Sequence, residues 1–211
     1  SDVDDWPFRY TSWGGYVKFT ADLGGADLVS VSGYENYSQY FTYEADGFDN
    51  RPYGAGARDL GVYFNPHSET FSQELRLSGK TGGGIKWLLG GYYYNGRQRS
   101  DNTISVDGVK SDLIGYTTHT RSFAAFGQVD VPLGDQIVVS GGLRYTADRR
   151  KLDPLDCSKS VTSTICAPTL VDRINENAVT FRFGAEYHPV DDVMLYAAYS
   201  RGFKSGGWNT N

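Results

Sequence analysis

Residue types that commonly carry out catalysis are scattered along this chain. The three histidines lie on different segments, and adjacent carboxylates such as Asp191 and Asp192 fall in a turn, where they act as solvated surface charges. This spacing provides neither a metal ligand set nor a nucleophile with its base. Glycine pairs occur, but no strand, glycine-rich loop and helix surround them as a nucleotide site requires. We therefore predict no enzyme and no cofactor.

One segment, residues 44–69, combines cationic and aromatic side chains in a way that suits ligand binding. Arginine forms paired hydrogen bonds with anionic groups, and aromatic rings attract cationic and planar partners. An anionic, ring-bearing chelate fits this combination, although packing within a loop explains it equally well. The candidate ligand-binding residues are Arg51, Tyr53, Arg58, Tyr63 and His67.

The amino-acid composition favours strands. Aromatic residues make up 15% of the 211 residues and there are 26 glycines, whereas strong helix formers do not dominate. The net charge of −5 argues against a nucleic-acid partner, because phosphate backbones select basic surfaces. No apolar run reaches the length of a transmembrane helix, but a membrane-spanning strand needs only about 9–11 residues.

Apolar and polar residues alternate along eight segments, as expected for strands with one apolar face. In the seventh segment, for example, Phe181 and Phe183 flank Arg182. The second segment departs from the pattern because its two valines share a face with Glu35, which predicts a bulge or an early exit from the apolar zone. The predicted strands lie near residues 13–22, 28–43, 70–80, 85–99, 118–132, 136–148, 177–188 and 193–203.

The connections between these strands alternate in length. Turns of a few residues follow strands one, three, five and seven, whereas the other connections span about residues 44–69, 100–117 and 149–176. Short turns on one side and long loops on the other are typical of bacterial outer-membrane barrels, whose long loops lie outside the cell. Long strands with tyrosines near their ends favour the same architecture. A soluble ligand-binding β-barrel stays open as an alternative.

Four stretches, in this order and at hairpin spacing, resemble the barrel of TonB-dependent receptors. They are FSQELRLSG (71–79), WLLGGYYY (87–94), AAFGQVDVPLGDQIVVSGGLRYTADRRKL (124–152) and LYAAYSRGFKSGGWN (195–209). The resemblance implies a Gram-negative outer-membrane barrel of about 22 strands, filled by a plug domain. It also implies import of a scarce small-molecule ligand, most often a ferric siderophore and otherwise a vitamin or a sugar. The energy would come from the inner-membrane TonB–ExbB–ExbD machinery.

The predicted fold class is all-β: a membrane-spanning antiparallel up-and-down barrel segment of about eight strands within a larger barrel. Neither a plug, a coupling segment nor a final strand with a terminal aromatic residue is recognisable in residues 1–211. The plug domain and the remaining barrel of the same protein are therefore expected as partners. The alternative is a self-contained eight-stranded outer-membrane barrel acting as an adhesin or structural protein, since eight strands can close.

The alternation also predicts which residues meet lipid and which face the barrel interior. An arginine on the lipid face near mid-membrane costs about 2–4 kcal/mol, so a slip in register by one residue is penalised. Because lipid cannot satisfy open strand edges, neighbouring strands are expected beside residues 13–22 and 193–203. The predicted lipid-facing residues are Val139, Leu143, Phe181, Phe183 and Leu195, and the predicted interior residues are Glu74, Arg76, Arg144, Arg182 and Glu186.

The predicted outer segment 149–176 carries two further features. Arg149, Arg150 and Lys151 form a basic cluster where a strand leaves the membrane, and we expect it to contact anionic lipopolysaccharide. Cys157 and Cys166 are the only two cysteines and lie in the same segment. Because the cell exterior is oxidising, we predict a disulfide between them.

Overall fold

A computed structural model of the chain describes residues 7–44, 60–106, 109–154 and 172–208. In these ranges the regular elements are eight β-strands, which confirms the predicted all-β class, and no helix there is long and apolar enough to cross a membrane. The strands are β1 (Arg9–Asp22), β2 (Ala26–Glu44), β3 (Leu60–Lys80), β4 (Lys86–Val106), β5 (Val109–Leu133), β6 (Ile137–Pro154), β7 (Asp172–Val190) and β8 (Val193–Arg201).

The eight strands form one antiparallel sheet in which each strand pairs with its neighbours in sequence. This is the predicted up-and-down order. Within the described ranges β1 and β8 do not pair with each other, so the sheet is a wall with two open edges. The alternative of a self-contained eight-stranded barrel requires that pairing and is therefore not supported.

Four tight turns join the strands at one end of the sheet, as predicted. They comprise residues 23–25, 81–85, 134–136 and 191–192. In three of them a glycine takes a positive φ, 77° at Gly24, 84° at Gly84 and 73° at Gly134, a conformation that strains residues with a Cβ. Asp22 Oδ1 also accepts a 2.7 Å hydrogen bond from the backbone N of Gly24. The turn geometry thus helps to fix the register of each hairpin.

At the opposite end the strands are longer than predicted. β3 begins at Leu60 rather than near residue 70, and β4 and β5 remain paired up to Val106 and Val109. The prediction of a long loop at 100–117 is therefore wrong, because most of this stretch is a hairpin. In that sequence Ser, Thr and Asp residues occur on both faces of the strand, so no alternation in polarity is visible. The strand forms nevertheless, because its backbone groups hydrogen-bond to the neighbouring strand.

Of the two explanations predicted for the second strand, a bulge or an early exit from the apolar zone, the bulge is wrong. β2 pairs with the whole of β1 in unbroken register. Val29 and Val31 lie on the face that carries Arg76 in β3, while Ser30 and Ser32 lie on the opposite, mostly apolar face. There the Gln73 amide nitrogen donates to Ser30 Oγ at 2.9 Å, and the Ser32 hydroxyl donates to the Gln73 amide oxygen. Mutual hydrogen bonding between strands makes these polar groups tolerable on an apolar surface.

Each strand separates an apolar face from a polar face. The register places Leu143 opposite Phe181 on one face and Arg144 opposite Thr180 on the other. The ladders between the strands assign the five predicted lipid-facing residues to the first face and the five predicted interior residues to the second, which confirms the predicted division into two faces. We call these the outward and the interior face.

The distribution of exposed residues is that of a membrane protein. Leu143 and Phe183 are 59% and 58% exposed on the outward face, and in the described ranges the buried hydrophobic residues are only Val62 and Ala124. Along the outer half of β7 the interior-face residues are the more covered ones, so the polar face is concave. A large apolar face open to the surroundings is unfavourable in water, which argues against the soluble barrel.

A row of aromatic rings borders the apolar belt on the outward face. Ring centroids lie 5.2 Å apart for Trp13 and Tyr34, 6.3 Å for Phe71 and Tyr93, and 4.8 Å for Tyr93 and Phe123. On β5 the belt runs from the turn to Phe123, about 33 Å of strand at ~3.3 Å per residue and about 25 Å of height at a ~40° tilt. That height and its aromatic border are those of an outer-membrane barrel wall.

Candidate ligand-binding surface

The interior face carries a stacked cluster formed by Tyr92, Phe126 and Arg144 on three neighbouring strands. Arg144 Cζ lies 5.6 Å from the ring centroid of Tyr92 and 5.4 Å from that of Phe126. The register places Phe126 between Gly90 and Arg144, and the glycine has no Cβ to collide with the ring. Cation–π attraction to the two rings thus stabilises the position of the Arg144 guanidinium group.

The charge of Arg144 remains available to a ligand. Its Nε donates to Thr146 Oγ1 at 3.2 Å, and no carboxylate in the described ranges pairs with it. Arg182 on β7 likewise has no acidic partner there, whereas Arg76 is paired with Glu74. Two uncompensated guanidinium groups on a concave surface make this part of the interior attractive to anions.

A cavity of about 780 Å³ extends from the stacked cluster along the interior face of β4, β5 and β6. Its size suits a small-molecule ligand. The wall combines rings, hydroxyl groups and cations with the carboxylate of Asp148, which pairs with Arg150, so it can stack on a planar ligand and bond its oxygen atoms. The main contributors are Tyr92, Tyr94, Tyr116, Arg144, Arg150 and Thr180.

The segment that follows β8 covers one side of this cavity. Glu176 Oε2 accepts hydrogen bonds from the Ser205 hydroxyl at 2.9 Å and from the Gly206 backbone N at 2.8 Å. Arg150 Nη1 donates to the Gly206 carbonyl at 2.9 Å. Through these bonds residues 202–208 are held against β6 and β7, where several of them line the cavity.

The sequence as a whole matches a known family. A family model described as "TonB dependent receptor-like, beta-barrel" matches residues 1–211. The chain belongs to this family. The predicted resemblance is thereby confirmed, and the TonB-dependent receptor family consists of outer-membrane receptors and transporters rather than enzymes.

Three solved structures share the fold. The ferric yersiniabactin uptake receptor FyuA from Yersinia pestis is 17% identical, with a TM-score of 0.68 over 93% of this chain and 29% of its own. The open form of the ferric-catecholate import receptor Fiu from E. coli K12 is 15% identical, with a TM-score of 0.74 over 93% and 36%. The ferric citrate transporter FecA is 12% identical, with a TM-score of 0.69 over 90% and 27%. Such identities establish the fold alone, and the chain spans roughly a third of the length of these structures.

The five residues predicted to bind ligand are only partly described. Tyr63 and His67 lie on β3, at positions whose alternation and register continue the outward face, and they do not line the cavity. Arg51, Tyr53 and Arg58 lie outside the described residues. A role of these five residues in ligand contact stays a prediction.

The structure divides the predicted basic cluster between the two faces. Arg149 and Lys151 are outward, whereas Arg150 is interior, 3.2 Å from Asp148 Oδ2. Contact of these residues with lipopolysaccharide stays a prediction. Both cysteines lie outside the described residues, so the disulfide also stays a prediction.

The stacked cluster was not predicted as a ligand site. Its members come from three strands, so only the register shows that they meet. The sequence did contain one indication of the cluster. Arg144 was predicted to face the interior, and the two preceding strands carry aromatic residues at interior positions. In the ranges described, no three His, Asp or Glu side chains form a group suited to a metal ion.

Proposed function

We propose that this chain forms part of the barrel wall of an outer-membrane receptor in a Gram-negative bacterium, and that the receptor imports an anionic metal chelate. A ferric siderophore is the first candidate ligand. The observation that carries the proposal is the uncompensated Arg144 stacked on Tyr92 and Phe126 beside a cavity of ligand size.

The chemistry of this surface favours a chelate over a neutral sugar. A guanidinium group forms strong, paired hydrogen bonds with carboxylate or catecholate oxygens, and tyrosine rings stack on planar donor groups. The relatives FyuA, Fiu and FecA are named for ferric yersiniabactin, ferric catecholate and ferric citrate. A copper transporter, OprC, has the same fold with a TM-score of 0.51 at 13% identity, so the fold by itself does not decide the cargo. A vitamin or a sugar remains the second ligand class.

The proposal includes the rest of such a receptor. Unpaired backbone groups along β1 and β8 cannot be satisfied by lipid, so further strands of the same protein pair with both edges. A plug domain fills the barrel, and TonB–ExbB–ExbD supplies energy for transport. The wall needs no catalytic step, because its role is to bind the ligand and to hold the binding residues in place.

The test uses the full-length receptor and a panel of ferric siderophores, citrate-type and catecholate-type, with cobalamin and a neutral oligosaccharide for comparison. Binding is followed by quenching of tryptophan fluorescence. Arg144→Gln should weaken binding of the preferred chelate by about 10- to 100-fold, because a charge-assisted hydrogen bond contributes about 1.5–3 kcal/mol. Arg9→Gln, on the outward face of β1, removes the same charge far from the cavity.

Two results would contradict the proposal. One is equal binding by the Arg144→Gln and Arg9→Gln variants, which would separate the stacked cluster from ligand recognition. The other is tight binding of cobalamin or the oligosaccharide with no binding of any chelate. Uptake of radioactive iron by cells lacking TonB tests the energy source, since the proposal requires that uptake be lost.

A further inference from the structure

The strand β8 leaves the sheet before its neighbour does, and the chain that follows it lies on the interior face. The ladder between β7 and β8 ends where Phe181 pairs with Arg201, whereas β7 continues outward as far as Asp172. Residues 202–208 instead contact interior side chains of β6 and of the outer part of β7. We call residues 202–208 the inner strap.

Two carboxylates of β7 hold the inner strap in place. Glu176 Oε2 accepts the hydrogen bonds of the Ser205 hydroxyl and the Gly206 backbone N described above. Asp172 Oδ2 accepts a hydrogen bond of 2.6 Å from Trp208 Nε1. The two carboxylates are four residues apart in a strand, so both project from the same face. Charge-assisted hydrogen bonds thus attach the strap at two separate points.

Glu176 acts on the cavity through the strap and not by direct contact. Among the described residues that line the cavity, Phe203 and Trp208 are present and Glu176 is not. A Cβ at Gly206 would come within 3.3 Å of Glu176 Oε1, so a glycine at this position favours the close approach. The position of two rings at the cavity therefore depends on a carboxylate that lies outside it.

With the strap attached, the cavity receives aromatic rings from two sources. Three come from β4 and β5 and two from the strap: Tyr92, Tyr94, Tyr116, Phe203 and Trp208. A planar aromatic group gains stacking energy from such rings, whereas an aliphatic carboxylate gains only from the cations and hydroxyl groups. The strap therefore adds a contribution that depends on the chemistry of the ligand.

We propose that Glu176 is a positioning residue for ligand recognition, and that the attached strap selects a chelate whose metal-binding groups are planar aromatic rings, catecholate or phenolate, over an aliphatic carboxylate chelate. The guanidinium group of Arg144 attracts both kinds of anion and does not distinguish them. The strap rings distinguish them, because only the aromatic ligand stacks. This inference rests on the proposed function, chelate binding in the same cavity, and narrows its ligand class.

The experiment measures binding of two probes to the full-length receptor by equilibrium dialysis with radioactive iron. The probes are ferric dihydroxybenzoate, a catecholate complex, and ferric citrate, and the wild type should prefer the first. Glu176→Ala removes both strap bonds and should weaken binding of the catecholate complex by about tenfold, as expected for the loss of two ring contacts. Ferric citrate should bind no more weakly, because the substitution removes a negative charge beside the cavity.

Two variants separate the position of the strap from the charge. Glu176→Gln removes the same charge but keeps an oxygen that can accept both bonds, so catecholate binding should stay within about twofold of the wild type. Glu186→Ala removes a carboxylate from the same face of β7 near the turn and should also stay within about twofold. An equal loss in Glu176→Gln and Glu176→Ala, or a comparable loss in Glu186→Ala, would overturn the positioning role.

The position of the strap can also be measured without a ligand. Spin labels at Lys204 and Arg121, both exposed, report the distance between the strap and β5 by double electron–electron resonance when the two native cysteines are replaced by serine. The distance distribution should be narrow in the wild type and in Glu176→Gln and broad in Glu176→Ala. The same distribution in all three proteins would refute the attachment by Glu176.

The outcomes distinguish this inference from the proposed function. Tighter binding of ferric citrate than of the catecholate complex by the wild type would overturn the ligand class while leaving chelate import intact. Equal losses of both probes in Glu176→Ala would overturn selection by the strap. Failure of both probes and of every chelate in the panel would contradict the proposed function and the ligand class together. Migration of unboiled samples on a gel verifies that each variant is folded.

Discussion

Val138 and Val139 provide a matched test of the two faces, because the same substitution at adjacent residues should have different consequences. Val139 is outward and 39% exposed, in register with Val131 and Ala185, so an arginine at this position would meet no anionic group. Val138 is interior and lies opposite Glu186, which can pair with an arginine.

The expected cost of Val139→Arg follows from its depth in the apolar belt. On β6 the belt extends from Ile137 to Tyr145, and Val139 lies about 5 Å from its midpoint at ~3.3 Å per residue and a ~40° tilt. An arginine facing lipid costs about 2–4 kcal/mol at the midplane and about 0–1 kcal/mol near the interfaces. We expect about 2 kcal/mol for Val139→Arg and less than about 1 kcal/mol for Val138→Arg, where water and Glu186 solvate the charge.

The assay compares the free energies of unfolding of the full-length receptor and its variants in lipid vesicles. Tryptophan fluorescence is followed through a guanidinium titration, and midpoints and slopes are compared to ensure that the same transition is measured. Val139→Leu controls for a change of side chain without a charge. If Val138→Arg destabilises the receptor as much as Val139→Arg does, the assignment of the faces is wrong.

Two further predictions concern the outer segment and the exposure of β7. Cys157 and Cys166 should form a disulfide that stabilises their loop by about 2–3 kcal/mol in the chain-entropy model, and two titratable thiols in the denatured, unreduced protein would disprove it. With both cysteines replaced by serine, spin labels at Phe181 and Phe183 should be relaxed by lipid-soluble oxygen and a label at Arg182 by a water-soluble nickel reagent; the reverse pattern would invert the faces.

The turn ends of the strands could be predicted from the sequence, whereas the outer ends could not. Near the turns, glycine, proline and aspartate mark the boundaries, so β6 was predicted to begin at residue 136 and begins at Ile137. Beyond the aromatic row both faces of a strand meet water, and alternation in polarity disappears. The backbone ladder continues without it, because each strand there is stabilised by its neighbour rather than by an apolar face.

The second strand shows a different limit of prediction. Ser30 and Ser32 occupy outward positions where apolar residues are expected. The sequence of this strand alone therefore suggests a change in register. The partner that makes the arrangement acceptable is Gln73, more than 40 residues away, whose amide bonds both hydroxyl groups. Whether a polar group is stable in an apolar layer depends on its hydrogen-bond partner, and the register is needed to identify that partner.

The candidate sites depend on the register still more strongly. The stacked cluster, for example, combines residues of three strands. The sequence contained a visible basic run at residues 149–151, but a run of adjacent residues in a strand cannot form one site, because successive side chains point to opposite faces. Residues that do form a site occupy matching positions on neighbouring strands.

The two faces therefore constrain each other through a single register. A slip by one residue would bring Arg76, Arg144 and Arg182 to the lipid face. Arg182 is opposite Gly142, close to the midpoint of the belt, so its transfer alone would cost about 2–4 kcal/mol, while Arg76 and Arg144 lie nearer the aromatic row and would add less. The glycine turns impose the same register locally through their positive φ angles. Within this register, a substitution at an interior position does not move the lipid-facing side chains of the neighbouring residues. Ligand recognition can therefore change while the apolar belt stays intact.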